Sequence, residues 1–261
     1  MAPGRGRGRV VASRLPLSFL GGVDRANGRI VDPKSDVHGK FLRGRVFAFP
    51  HGTGSTVGSY VMYGLAKRGK GPAGIVADRA EAIVAVGAVL GNITAIDGVD
   101  TSVLETGDEA IVDGSRGTVT VPKVQEQGVV TAFLRNRGRI LVLRRSRRVG
   151  SFRGRWSGIS GYLEGSEATV DRARIEIAEE TAIRRARLVA AGRPRWTRHG
   201  DVVFRVHPFL FEVASRAVRL DWENVEARWL PPASVATLNT VPRLADVLAD
   251  VLDVARRRRT R

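Results

Sequence analysis

The spacing of apolar positions along the chain alternates between strand length and helix length. Arg45–Phe49 is a short apolar run stopped by Pro50 and reads as a strand, after which a helix is expected through Lys67. Gly74–Val76 reads as a strand, Ala80–Leu90 as a helix and Ile93–Ile96 as a strand. Asp108–Asp113 and Thr118–Val121 then read as two strands around the turn Gly114-Ser115-Arg116-Gly117. From Val121 to Gly128 the periodicity lapses around Pro122, Gln125 and Gln127, which places a domain boundary near residue 125. Beyond it, Val129–Leu134 and Ile140–Arg144 read as a hairpin around Asn136-Arg137-Gly138. Val170, Ala173 and Ile177 form a narrow helical stripe, with Ser166 expected at the N-cap and Glu167 in the first turn. Val202–Val213 alternates as a strand does. Residues 1–9 alternate glycine with arginine and are expected to form a disordered basic tail, leaving 10–125 and 126–255 as the two domains. The arginine-rich residues 256–261 are expected to be a second solvated tail.

Composition narrows the chemistry. With 261 residues there is room for two ordinary cores. The absence of cysteine excludes disulfides, thiol nucleophiles and any iron–sulfur cluster held by this chain alone. No apolar run has the length of a membrane span, and the basic N-terminus is not followed by a signal-type apolar region, so no membrane partner and a cytoplasmic location are expected. The net charge is +17, unevenly divided: 16 basic and 11 acidic side chains up to residue 125 (+5), against 27 and 15 after it (+12). Such a field can recruit phosphorylated substrates or nucleic acid by long-range steering. Without interleaved aromatics or a readout motif, nucleic acid is not expected as a partner.

The clearest candidate chemistry lies at Glu176, Glu179 and Glu180. At about 100° per residue these three share one helical face, and each like-charged pair costs about 0.2–0.5 kcal/mol even when exposed. A hard divalent cation with oxygen ligands, Mg2+ or Mn2+, would offset that repulsion; neutralisation by Arg172, Arg174, Arg184 and Arg185 is the other reading. Upstream, Ser160-Gly161-Tyr162-Leu163-Glu164-Gly165-Ser166-Glu167 forms a glycine-bearing turn leading into the helix. The whole run resembles the Nudix box, with Gly161, Glu167, Glu176, Ile177, Glu179, Glu180 and Ile183 on its positions. Two positions depart: Ile175 stands where the family has an arginine, for which Arg174 is an imperfect substitute, and Ala182 stands where it has a glycine. The later segment Asp221–Leu230 is similar to the family's last strand region, with Glu223 and Glu226 as candidates for a further metal-binding or basic carboxylate. Trp222 and Trp229 in that segment are expected in the core. The resemblance implies an α/β/α sandwich that binds Mg2+ or Mn2+ through Glu176, Glu179 and Glu180. It also implies attack of water on a phosphorus of a nucleoside diphosphate linked to another moiety, with Glu179 among the catalytic acids.

In the first half, His51-Gly52-Thr53-Gly54-Ser55-Thr56-Val57-Gly58-Ser59 joins a strand to a helix N-terminus, a geometry that can point N–H groups and hydroxyls at an anion through Gly52, Gly54 and Thr56. Helix capping by Ser55 or Thr56 is the alternative. Pro16–Asp24, Gly54–Tyr60, Arg79-Ala80-Glu81 and Val112-Asp113-Gly114 together resemble the aconitase X small subunit, of which the archaeal phosphomevalonate dehydratase small subunits are members. That resemblance implies a swivelling β/β/α domain that forms a heterodimer with an aconitase X-type large subunit carrying a [4Fe-4S] cluster. It implies dehydration of (R)-5-phosphomevalonate to trans-anhydromevalonate 5-phosphate, in the archaeal mevalonate pathway. The cluster iron would take the leaving hydroxyl, and Ser55 would remove the carbon-bound proton. Thr53 stands where relatives are expected to carry a basic residue, and the family's first strand is not evident near the N-terminus. Two other readings stay open: a Nudix hydrolase whose swivelling domain only docks, and a basic RNA-associated protein without enzymatic activity.

Overall fold

The computed structural model describes residues 2–259, and the chain divides into two compact units, Met1–Gln125 and Glu126–Arg261. The first contains β1 (Arg5–Ala12), α1 (Phe19–Gly22, kinked at Leu20 and Gly21), β2 (Val46–Phe49), α2 (Gly58–Lys67), β3 (Gly74–Ala77), α3 (Ala82–Gly91), β4 (Ala95–Ile96), β5 (Glu109–Asp113) and β6 (Thr118–Thr120). Its sheet runs β4-β3-β2-β1-β5-β6, parallel from β4 to β1 and antiparallel from β1 to β6. Because strand side chains alternate, Phe47, Phe49, Ile75 and Ala77 face α2 and α3, packing with Met62, Leu65 and Val84. Val46, Ala48 and Val76 fill a second core on the opposite face with Ala110 and Val112.

The glycine–arginine segment at the N-terminus is not disordered, and the family's first strand is present: Arg5–Ala12 is β1, at the centre of the sheet. The reason lies in the two-residue spacing. A Cβ on Gly6 would stand 1.9 Å from the carbonyl oxygen of Ala73, and one on Gly8 would stand 2.4 Å from that of Gly44. Glycine on that face lets neighbouring backbone approach, while Arg5, Arg7 and Arg9 remain in solvent. Low complexity here hides a strand pattern.

The second unit contains β7 (Gln125–Asn136), β8 (Arg139–Arg145), β9 (Trp156–Ser157), β10 (Ile159–Tyr162), α4 (Thr169–Thr181), β11 (Arg187–Ala191), β12 (Arg195–His199), β13 (Val202–Glu212), β14 (Asn224–Leu230) and α5 (Leu244–Arg259). The sheet path is β11-β13-β7-β8-β14, with β9, β10 and β12 attached to β8, β7 and β13. Val130, Ala132 and Leu134 pack with Ala173 and Ile177 of α4, whereas Phe133 packs with Val247, Leu248 and Val251 of α5. A sheet between two helices follows from that alternation.

Three expectations change here. Residues 256–259 continue α5 rather than forming a tail, since cations are favoured at a helix C-terminus; 260 and 261 lie outside the described residues. The helix expected from Ser166 starts at Thr169 with Ala168 at its cap, and Asp171 is the acid of the first turn. Trp222 is 56% exposed beneath the Arg148 guanidinium rather than in the core, while Trp229 is partly buried and donates from Nε1 to Arg216 O. No helix among the described residues is long and apolar enough to cross a membrane.

Candidate functional site

In the second unit, α4 delivers the three glutamates to different surroundings. Glu176 and Glu180 are buried and Glu179 is exposed. Glu180 accepts from Ser160 N at 2.8 Å through one oxygen and from Asn224 Nδ2 at 2.7 Å through the other. Burial pushes its carboxyl up to about 8, against the pull of those two donors. Glu176 is also raised, by burial first and by the charges of Glu179 and Glu223, with Arg172 opposing. Glu223 is raised by burial and by Asp221, with Arg145 opposing and Glu179 adding to the rise. These carboxylates therefore act on one another across α4 and the turn before β14.

The arginine missing at Ile175 is replaced from one turn earlier. Arg172 meets Glu176 at 2.8 Å as an i,i+4 pair, whereas Arg174 is spent on Asp171 at 3.0 Å; Arg174 is not the substitute. The Nε of Arg172 is buried without a hydrogen-bond partner. Gly161 has a steric role: a Cβ there would lie 1.8 Å from Glu176 Oε1, so only glycine leaves space for that carboxylate. Glu167 is not part of the acidic group, because its carboxylate accepts from Glu164 N at 2.8 Å and holds the turn. Glu226 is likewise turned away, to Arg144 at 2.9 Å and Arg228 at 2.6 Å, leaving Glu223 as the late carboxylate.

Ala182 ends α4 in the left-handed region, φ 60°, where the family has glycine. It is exposed and costs roughly 1 kcal/mol in backbone strain. Ala182→Gly should therefore raise stability by about 0.5–1 kcal/mol in denaturant unfolding. An unchanged or lowered midpoint would show that the strain is relieved in some other way.

Among the described residues no group of three or more His, Cys, Asp or Glu side chains stands close enough to hold a metal ion as placed. Helical spacing brings Glu176, Glu179 and Glu180 to one side of α4 without converging them, since Arg172 occupies one and Ser160 with Asn224 another. The donor set is nonetheless all hard oxygen, and burial, with neighbouring carboxylates adding to it, raises the proton affinity of Glu176 and Glu223. That chemistry fits a hard divalent cation. Asp221 and Asn224 join this group beside Arg172, one of the four arginines expected to neutralise the acids; the turn Asp221-Trp222-Glu223-Asn224 is the signal for the first two in the sequence.

In the first unit, Ser55 is exposed before α2, and its Oγ accepts from Val57 N at 3.3 Å. The expected anion cradle is not formed at the helix start, because the N–H groups of Gly58, Ser59 and Tyr60 donate to the carbonyls of Ser55, Thr56 and Val57. Gly52 and Gly54 serve close approach: added Cβ atoms would meet Val84 at 2.7 Å and Ser18 Oγ at 2.6 Å, and Gly54 has φ +90°. Thr56 is exposed beside Ser55, and Thr53 N donates to Leu17 O at 3.1 Å. Ser59 is buried and donates to Ile83 O at 3.0 Å, tying α2 to α3.

The two units have the folds of a swivel domain and of an α/β/α sandwich with an acid-bearing helix. The chain belongs to the aconitase X swivel domain family, whose model matches residues 1–121, and the NUDIX domain model matches residues 125–251. Within the first family it is similar to the phosphomevalonate dehydratase small subunit of Pyrococcus furiosus, 53% identical over 118 residues, 45% of this chain and 88% of the relative. The crystal structure of Thermococcus kodakaraensis aconitase X in its holo-form is similar at 48% identity over 46% of this chain and 92% of that one, with a TM-score of 0.45. The MutT protein of Methanosarcina mazei is similar at 21% identity over 53% and 99%, with a TM-score of 0.44.

Proposed function

We propose that the first unit serves as the small subunit of a phosphomevalonate dehydratase-like hydro-lyase and that the second is a Mg2+- or Mn2+-dependent pyrophosphohydrolase. For the first unit, the identity to dehydratase small subunits across nearly their whole length is the supporting observation. Its partner would be an aconitase X-type large subunit, which supplies the [4Fe-4S] cluster that this cysteine-free chain cannot hold alone. Ser55 then has to take a proton from carbon, which an ordinary hydroxyl does too weakly. The Val57 N–H at 3.3 Å acts on Ser55 Oγ in the sense the reaction requires, and the rest of the stabilisation would have to come from the closed interface with the large subunit. Co-expression with a cluster-bearing large subunit tests this: a complex that dehydrates phosphomevalonate is expected, and absence of any complex defeats the reading.

For the second unit, the oxygen donors gathered along α4 carry the proposal, with Glu176 held by Arg172 at 2.8 Å and Glu180 by Ser160 N at 2.8 Å and Asn224 Nδ2 at 2.7 Å. Glu176, Glu179 and Glu180, with Glu223, would hold the cation, which when bound would offset the charge of a diphosphate. Arg172 orients Glu176, Ser160 and Asn224 fix Glu180, and an exposed carboxylate such as Glu179 can accept the proton of attacking water. Glu179→Gln should lower Mg2+-dependent diphosphate hydrolysis at least about tenfold, roughly 1.4 kcal/mol in the barrier. An unchanged rate in a colorimetric phosphate assay removes Glu179 from the site.

A further inference from the structure

A substrate that carries a phosphate calls for a cation near Ser55, and the turn that holds Ser55 offers none of the permanent kind. His51–Ser59 contains no lysine or arginine, and its residue 53 is an exposed threonine. The N–H groups of Gly58, Ser59 and Tyr60 at the start of α2 are spent on carbonyls of the same turn. The neighbouring turn, residues 78–81, leaves β3 as this one leaves β2, and the two strands are parallel and paired, with Phe49 opposite Ala77. Both turns therefore lie at carboxyl ends of strands, where sheets of this kind take their ligands. Direct contacts hold them side by side. Arg79 N donates to Pro50 O at 3.1 Å, Ser59 Oγ donates to Ile83 O at 3.0 Å, and a Cβ on Gly52 would stand 2.7 Å from Val84 Cγ2. Arg14 and Asp78, at the same edge, have structural partners. Arg14 donates to Thr101 O at 2.9 Å and Leu104 O at 3.0 Å, and Asp78 accepts from Thr101 N at 2.8 Å and Thr101 Oγ1 at 2.7 Å. Arg79 differs. Its backbone makes the link to Pro50, while its guanidinium pairs with Glu81 at 2.8 Å, the two side chains being 70% and 39% exposed. A pair so exposed adds little to folding.

We infer that Arg79 binds the phosphate of the substrate dehydrated at Ser55, its planar fork exchanging the Glu81 carboxylate for phosphate oxygens. The inference deepens the hydro-lyase reading of the first unit and rests on it. Arg79 makes and breaks no covalent bond here. The phosphate stays on its alcohol, and the grip on it is the same before and during removal of the carbon-bound proton. Loss of that grip therefore belongs in KM and not in kcat.

The test uses the full chain assembled with a cluster-bearing aconitase X-type large subunit, with phosphomevalonate as substrate. Arg79→Gln should raise KM at least about tenfold while kcat stays within about twofold. Glu81→Gln breaks the same ion pair but keeps the cation, so its KM should not rise. An equal rise in both variants would make the pair structural and overturn the assignment. Mevalonate, which has the carboxylate and lacks the phosphate, should inhibit the unaltered and Arg79→Gln complexes alike. Inhibition weakened in step with the rise in KM would put Arg79 on the carboxylate and overturn the phosphate assignment. An unchanged KM in Arg79→Gln also overturns it and leaves the dehydratase reading in place. If the unaltered chain forms no complex, or its complex dehydrates nothing, the small-subunit reading itself fails and this inference falls with it.

Discussion

Gly161→Ala is expected to reduce Mg2+-dependent diphosphate hydrolysis at least about a hundredfold, roughly 2.7 kcal/mol in the barrier. The added methyl would sit 1.8 Å from Glu176 Oε1, 2.1 Å from its Cδ and 2.5 Å from its Cγ, so the whole carboxylate has to leave. Its displacement separates it from Arg172, and both partners are largely buried, with side chains 10% and 21% exposed. Stability should fall as well, by about 1–3 kcal/mol, the usual cost of overpacking. Gly150→Ala is the matched control, because nothing lies within 4 Å of a Cβ there and its rate and melting should not change. A Gly161→Ala protein that turns over normally would mean that Glu176 takes no part in hydrolysis.

Ser55→Ala is expected to lower phosphomevalonate dehydration by the assembled complex by at least about a thousandfold, roughly 4 kcal/mol, because the proposed base is removed. The side chain is exposed and accepts a single long hydrogen bond among the described residues, from Val57 N, so thermal unfolding should hardly move. Ser59→Ala gives the opposite pattern. Loss of its buried bond to Ile83 O should cost about 1 kcal/mol of stability while dehydration by the folded protein persists. Equal dehydration rates for Ser55→Ala and the unaltered complex would exclude Ser55 as the base, whatever the partner.

These expectations differ in how far each could be seen before the fold. The strands at 46–49, 74–77 and 109–113 and the helices α2 and α4 are local patterns, and apolar spacing is enough to find them. The i, i+3, i+4 acids and the glycine before them were equally plain. The arginine that serves Glu176 was not. Arg172 and Arg174 stand on either side of Ala173, and only the direction each side chain takes from α4 decides that Arg172 pairs with Glu176 and Arg174 with Asp171. Glu223 and Glu226 are similarly near in sequence, yet one lines a cavity with Glu176 and the other is held by Arg144 and Arg228 across the strand pair β8–β14.

What the chain determined by itself was the sequence of elements, the absence of thiol chemistry and the grouping of acids on one side of a helix. Each depends only on residue type and short-range spacing. What the tertiary structure decided was which of those acids are buried, which partner holds each, and whether a glycine–arginine repeat is tail or central strand. Those outcomes turn on distant backbone, as with the carbonyls of Ala73 and Gly44 against Gly6 and Gly8, and of the Ser160 N–H against Glu180. Burial and pairing are properties of what lies opposite a residue, and sequence spacing carries no information about that.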